Sequence, residues 1–397
     1  MTPERGGHAS PGLLMLLGAM SAFPPVTTDI YLPALPELTQ GLGGTIGEGQ
    51  ATLAVYFVGL GMGQLLYGPW SDRIGRRPTM LIGAAVYLFA SVGCALATSM
   101  GQMIVLRFLQ AVGACSGVVV ATAVVRDRFG HRESARILSM LLTLRGVGPL
   151  VAPLAGGLIV TWWGWRAIFW AVTVFGLVLA ASVFWGLKES RTDAVAARAR
   201  MESPLAAYRA ALRDSRIRGY MLTSGLNFSC MFAWIAAAPY LVIGVYKVPA
   251  LYFGWIFGAN AAGFMIAAQL NRRLLQRYRP DDILPFGAIG AGLAAGVLLF
   301  DVLTASGGAA GIFIPLFLVV ASIGFVSTNA TAGGLAVDPS RSGAVSALFG
   351  VSQFAVAGLT TAAAASLSRQ PAVGMAAMIM ICAAGATIFP VRLALRR

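Results

Sequence analysis

Acidic residues are scarce in this chain: there are 15 Asp and Glu among 397 residues, and all charged types together reach only 11%. A water-soluble domain carries about 25% charged residues, so this composition cannot cover a solvated surface. Histidine is limited to His8 and His131, both in polar segments, which excludes histidine chemistry inside the apolar runs. The four cysteines, Cys94, Cys115, Cys230 and Cys382, fall singly within apolar runs. They lack the paired spacing of a zinc site or a disulfide framework and read as small packing residues. No apolar run holds clustered carboxylates or metal ligands, so a membrane-embedded enzyme finds no support, and no metal or cofactor is called for. A ring of like groups, as an ion channel needs, is not evident either.

What the chain has in excess is apolar length. Hydrophobic residues make up 57% and the mean hydropathy is +0.76. With about 20 apolar residues per membrane span, twelve spans fit between residues 12 and 391. The longest polar stretch, Lys188 to Arg218, falls between the sixth and seventh. The expectation is an all-α membrane protein of twelve transmembrane helices in two six-helix bundles, residues 1–187 and 219–397, joined by a cytoplasmic linker at 188–218. The substrate path then lies between the bundles near the midplane. Within the linker, Pro204 to Arg213 has the pattern of a short amphipathic helix.

The net charge of +14 invites a nucleic-acid reading. Its distribution argues for topology instead. Twenty-four Lys and Arg fall on the side that holds the termini, against three opposite (Arg166, Lys247 and Arg369), with Arg107 and Arg145 inside spans. By the positive-inside rule both termini are cytoplasmic, and the partner of the basic surface is the lipid bilayer. Glycine pairs at small-xxx-small spacing, Gly59/Gly63, Gly113/Gly117, Gly254/Gly258 and Gly292/Gly296, mark expected helix contacts. Trp162, Trp163 and Trp165 mark an expected interfacial belt.

Asp29 is the only acid clearly inside a span, and a charge there costs about 2.5–3.5 kcal/mol on insertion scales. It therefore needs a partner or a role: a structural tie to an arginine, or a carboxyl that takes up and releases protons. Span 1 runs outward and span 4 inward, which sets Arg107 at the same depth and makes it the natural partner, with Gln110 one turn below. Arg145 falls on the face of Gly148, Ala152 and Gly156. It either binds an anionic or polar substrate or snorkels toward the cytoplasm.

The tract Gly68-Pro-Trp-Ser-Asp72-Arg73-Ile-Gly75-Arg76-Arg77-Pro78, between spans 2 and 3, resembles the loop signature of the major facilitator superfamily. In physical terms Gly68 permits close packing, and Asp72 caps a helix start and pairs with basic groups as a breakable inner latch. Three further stretches narrow the resemblance to the drug:proton antiporters of the Bcr/CflA group. Thr28-Asp29-Ile-Tyr31-Leu-Pro33-Ala-Leu-Pro36 is similar to that group's first-span acid motif. Arg107-Phe-Leu-Gln110-Ala-Val-Gly113 is similar to the fourth-span motif implicated in proton coupling, with Ala111 where glycine is usual. Gly148-x-x-x-Ala152-Pro153-x-x-Gly156-Gly157 resembles the fifth-span antiporter motif, with Ala152 replacing glycine. Val125-Arg126-Asp127 and the run from Phe232 to Tyr240 also look like members of the group.

The resemblance implies a monomeric exporter of the bacterial inner membrane that exchanges protons for small drugs of bicyclomycin, chloramphenicol or sulfonamide type. It also implies that Asp127 joins Asp72 and Arg76 in the inner-gate cluster. Aromatic and amide residues of the path-lining spans, Tyr31, Tyr56, Phe57, Asn227, Phe232, Trp234, Tyr240, Asn260 and Gln353, form the candidate drug pocket, with Arg145. A proton-linked importer or a facilitator of a small metabolite shares the fold; the fifth-span motif is the feature against it.

Overall fold

A computed structural model describes residues 10–192, 204–338, 341–366 and 370–395. Every regular element among them is helical, as expected where hydrocarbon offers backbone groups no other partner. In chain order they are α1 (Pro11–Asp29), α2 (Leu35–Gly41), α3 (Ile46–Ile74), α4 (Arg76–Leu96), α5 (Met100–Arg128), α6 (His131–Gly186) and α7 (Pro204–Arg213). Then follow α8 (Ser215–Pro239), α9 (Ala250–Leu274), α10 (Pro280–Thr304), α11 (Gly308–Val337), α12 (Ser342–Ser366) and α13 (Pro371–Leu395). Eleven helices among the described residues are long and apolar enough to cross a membrane. One of these, α6, breaks at Gly164, whose φ of 75° and ψ of 174° no helical residue adopts. The expected amphipathic helix is α7, while residues 193–203 of the linker lie outside the described residues.

Helix starts follow the sequence. Thr45 and Glu48 form a reciprocal cap on α3, Glu48 N donating to Thr45 Oγ1 at 3.2 Å and Thr45 N to Glu48 Oε2 at 2.8 Å. Ser99 caps α5, and Asp214 caps α8. Two helices are interrupted at matching points. The first span leaves α geometry after Asp29, passes through a tight turn at Leu32–Ala34 and resumes as α2. Proline at 33 and 36 removes two donors and disfavours helix at the preceding residues. Likewise α8 widens at Pro239 into a π-helical turn, Tyr240–Val245.

Glycines set the packing distances. A Cβ at Gly59 would lie 2.7 Å from the carbonyl oxygen of Phe108, and one at Gly113 2.6 Å from that of Gly83, so α5 packs directly on the backbones of α3 and α4. Gly148, Ala152 and Gly156 seat α6 on α1: Gly156 meets the carbonyl of Ile30, Gly148 lies beside Pro25, and Ala152 and Pro153 are buried. Gly157 and Gly254 bring α6 against α9, while Gly61 and Gly358 bring α3 against α12. These two seams join the helices before the linker to those after it. Of the expected pair Gly292/Gly296, Gly292 meets a methyl of Thr387 on α13 at 3.7 Å, whereas open space surrounds the position of a Cβ at Gly296. The tryptophan belt is not complete. Trp162 and Trp163 are exposed, but Trp165 is 5% exposed, its ring edge-on to Phe169 under the Arg166 guanidinium.

Candidate functional site

Between the two seams lies a cavity of about 2050 Å³. It runs from Asp29 and Trp234 to the end of the molecule that carries the α3–α4 loop, where exposed Arg73, Arg126 and Arg341 line its mouth. Beyond Asp29 the helices close on one another. Thr39 Oγ1 and Tyr240 Oη lie 2.7 Å apart, Gln50 Nε2 donates to the carbonyl of Ala236 at 3.4 Å, and the rings of Phe57 and Phe232 are 4.0 Å apart. Among the described residues the cavity is thus closed at this end and open at the other.

Asp29 ends α1 and stands on the cavity wall, 4% exposed. Its expected ion pair with Arg107 is not formed among the described residues. Arg107 is fully buried on α5, its guanidinium 4.1 Å from the ring centre of Tyr31 and 4.2 Å from that of Tyr56. Nη1 donates to Gln110 Oε1 at 2.6 Å, and Gln110 Nε2 donates to Ser91 Oγ at 2.7 Å. Nε and Nη2 have no hydrogen-bond partner among the described residues. A desolvated cation over an aromatic face gains about 2 kcal/mol, so the two tyrosine faces offset part of the cost of burying the charge.

The tyrosines are correspondingly withdrawn from the cavity. Thr52 gives its proton to the carbonyl of Gly49, so Tyr31 donates to Thr52 Oγ1 at 2.8 Å; Tyr56 donates to the carbonyl of Pro24 at 3.3 Å. Both are fully buried as walls of the arginine seat. Tyr240 belongs to the closed end, and Asn227 is buried behind the wall with Nδ2 on Ser322 Oγ at 3.2 Å. These four of the candidate pocket residues do not line the cavity.

Phe57, Phe232, Trp234, Asn260 and Gln353 do line it. Asn260 Nδ2 bonds the carbonyl of Ile256 at 3.2 Å, which leaves Oδ1 buried and unpartnered. Gln353 Nε2 is held between Ser224 and Ser327 at 2.9 and 3.1 Å. Arg145 lies in α6, but its side chain is outside the described residues. Sequence reasoning missed Gln64, Phe228, Phe257 and Phe264 on the same wall. Helical spacing from the residues it did find carries the signal: Phe257, Asn260 and Phe264 share one face of α9, and Phe57, Leu60 and Gln64 one face of α3.

At the cavity mouth Arg76, 3% exposed, gathers the loop. Its Nε donates to Asp127 Oδ2 at 2.8 Å and Nη2 to Asp127 Oδ1 at 3.3 Å, while Nη1 reaches Asp72 Oδ1 at 2.5 Å and Ser71 Oγ at 2.7 Å. These partners come from α3 and α5, and Arg76 itself from α4. Gly75 turns the chain between α3 and α4 with φ 110°. Gly68 has open space where a Cβ would stand and faces the cavity, so the close packing expected there is not its role. Arg77 Nη2 ties the loop to the carbonyl of Phe184 at 2.6 Å, and the side chain of Arg191 reaches the carbonyl of Arg73.

Glu189 is the missed member of this cluster. Its carboxylate accepts from Arg76 N at 3.0 Å and Arg77 N at 3.1 Å, at the start of α4. Partial burial pushes its pKa up, but the backbone N–H groups of Arg191, Arg76, Arg77 and Ser190 outweigh this and hold it below the ordinary carboxylate value. Nothing in the sequence near 189 marks it, since the partners that tie it to the cluster, Arg76 and Arg77, lie more than a hundred residues away.

A helical wall with a one-ended central cavity, sealed beyond its deepest carboxyl, is the architecture of a membrane transporter. The sequence pattern of the Major Facilitator Superfamily matches residues 15–362, and the chain belongs to that family. It is 29% identical over 366 residues to a bicyclomycin resistance protein homolog of Haemophilus influenzae, covering 91% of each chain. It is also 32% identical to a chloramphenicol resistance protein of Pseudomonas aeruginosa over 339 residues, 85% of this chain and 79% of that one. Multidrug resistance proteins of Escherichia coli and Salmonella typhimurium are similar at 28% identity over shorter stretches. Among solved structures the fold matches a D-xylose-proton symporter, with TM-score 0.73 and 13% identity over 95% of this chain and 97% of that one. It matches a peptide transporter in complex with sulfate with TM-score 0.77 and 14% identity over 99% and 96%.

Proposed function

We propose that this transporter is a proton-coupled exporter of small amphiphilic antibiotics of bicyclomycin, chloramphenicol or sulfonamide type. In this reading it is a monomer of the bacterial inner membrane with both termini cytoplasmic. Its twelve spans form two six-helix bundles, residues 1–187 and 219–397, about the linker at 188–218. The observation that carries the reading is Asp29, a carboxyl 4% exposed on the wall of an aromatic cavity whose outer end is shut. The resistance proteins among the relatives support the substrate class.

In mechanism, the cavity mouth at the α3–α4 loop faces the cytoplasm. A drug enters there against Phe57, Phe232 and Trp234, with Asn260 and Gln353 offering polar contacts. Rocking of the bundles then closes the mouth and opens the Thr39–Tyr240 seam. Asp29 takes a proton from the outer side and releases it inward as the molecule returns. Arg107, fixed by Gln110 and the two tyrosines, keeps a buried positive charge in place through the cycle while Asp29 gains and loses its proton. The Arg76–Asp72–Asp127 cluster, with Arg73, Arg77, Gly68 and Gly75, is the inner gate, and the Gly148–Gly157 face is the pivot of α6 on α1 and α9. A proton crossing the membrane supplies about 2.3 kcal/mol per 100 mV.

The test is drug accumulation in inverted membrane vesicles under an imposed pH gradient. Asp29→Asn is expected to abolish gradient-driven accumulation of a chloramphenicol-type probe at equal protein level while the purified variant still binds the probe. Accumulation equal to the parent protein in that variant would remove Asp29 as the coupling acid.

A further inference from the structure

A second concavity, of about 370 Å³, runs along the outside of the helices between α8 and α13, away from the transport cavity. The register of its walls is fixed by two contacts. A Cβ at Gly385 would meet Leu226 Cδ1 at 3.0 Å, and Gly219 faces the ring of Phe389. The helices are therefore antiparallel, and Arg218 and Arg392 flank the groove at the same level, toward the end where α7 and the cavity mouth lie. Both arginines are exposed, and no ion pair holds either among the described residues. The nearest acid in sequence, Asp214, is engaged as the cap of α8, accepting from Arg216 N at 2.7 Å and Ile217 N at 3.4 Å. Past the arginines the groove becomes apolar, with Leu222 51% and Ile388 54% exposed on its rims.

The geometry points to this groove as a binding site for an anionic phospholipid. The headgroup phosphate bridges Arg218 and Arg392, and one acyl chain lies along Leu222, Leu226 and Ile388. Guanidinium forks match phosphate oxygens, and the apolar side chains of Leu222, Leu226 and Ile388 line the path beyond them. A free phosphate would satisfy the arginines but leave the apolar groove empty, whereas a zwitterionic lipid would fill the groove but bring, beside its phosphate, an ammonium that cancels the charge and is repelled by the two cations. The charges stand on the side where basic residues are in excess, so the lipid belongs to the leaflet the transport cavity opens toward. Each guanidinium near an anionic lipid surface is worth about five-fold in affinity, so the pair amounts to about 30-fold.

The experiment is binding of phosphatidylglycerol to the purified full-length protein, read by native mass spectrometry and by thermal midpoint. Phosphatidylcholine and inorganic phosphate serve as comparison ligands. The expected result is retained phosphatidylglycerol on the parent protein and about 30-fold weaker binding to the double variant Arg218→Gln/Arg392→Gln, with phosphatidylcholine held more weakly by the parent and losing much less in the variant. Leu222→Trp, which fills the groove and leaves both charges, should weaken phosphatidylglycerol as well, and it carries the test if the double variant does not fold. Equal phosphatidylglycerol binding by the parent and either variant would overturn the site. So would a parent protein that prefers neither lipid, or one stabilised equally by inorganic phosphate alone.

Discussion

The seal beyond Asp29 can be weakened by one atom. Thr39 Oγ1 gives its only proton to the carbonyl of Leu35 at 2.7 Å, so in the Thr39–Tyr240 contact the tyrosine must be the donor. Thr39 is 4% and Tyr240 5% exposed, so neither has ready access to water while the end is closed. Tyr240→Phe removes one neutral hydrogen bond worth about 1 kcal/mol. Because the bond exists only while this end is shut, the whole of that energy acts on the conformational equilibrium, shifting it about five-fold toward the open form. A harsher change is available at Gly49, where a methyl would overlap both hydroxyls. Gly49→Ala should open this end in most molecules.

Spin labels on cysteines introduced at the exposed positions 40 and 245 would report the separation across the seal, and the four native cysteines are buried and will not compete. The expected series is a minor long-distance population in the parent, about five-fold more of it in Tyr240→Phe, and a dominant one in Gly49→Ala. If Gly49→Ala shifts the distances and Tyr240→Phe leaves them alone, the hydroxyl pair does not hold the seal and the reasoning fails.

Arg107→Met should leave the thermal midpoint unchanged or raised, since a buried charge without a carboxylate partner is replaced by an apolar chain of similar length. Gradient-driven transport should fall at least ten-fold in the same variant, and retained transport would reduce Arg107 to a packing residue. Glu189 has a lowered pKa in the folded protein, so its stabilising effect is present above the ordinary carboxylate range and lost as pH falls through the depressed value. Glu189→Gln should therefore flatten the acid side of the thermal-midpoint profile and make the α3–α4 loop more sensitive to protease at neutral pH. An unchanged profile would show that other carboxylates govern the acid limb.

Sequence alone determined the bilayer, the helical class, the family and the stretches that matter, because each leaves a local trace. Hydrocarbon demands long apolar helices, loop motifs carry the family, and prolines at 33 and 36 mark the break beside Asp29. The family resemblance also brought Asp127 to Asp72 and Arg76, whose contacts the structure forms, but it left out Glu189. Where pattern reading erred, the deciding quantity was which of two faces a side chain takes. Tyr31 and Tyr56 are as aromatic as Phe57, yet they turn to Arg107 while Phe57 turns to the cavity. Equal depth for Asp29 and Arg107 was inferred from residue counting, but depth is one coordinate of three, and the rotation of α5 about its axis aims Arg107 at the tyrosine rings.

Tertiary packing alone decided which end of the path is shut, that Glu189 caps α4 from the end of α6, and that Arg218 and Arg392 flank a common groove. Such facts join residues separated by a hundred positions or more. Chain composition constrains the face each helix buries, whereas the pairing of faces comes only from how closely the glycine-lined backbones can approach.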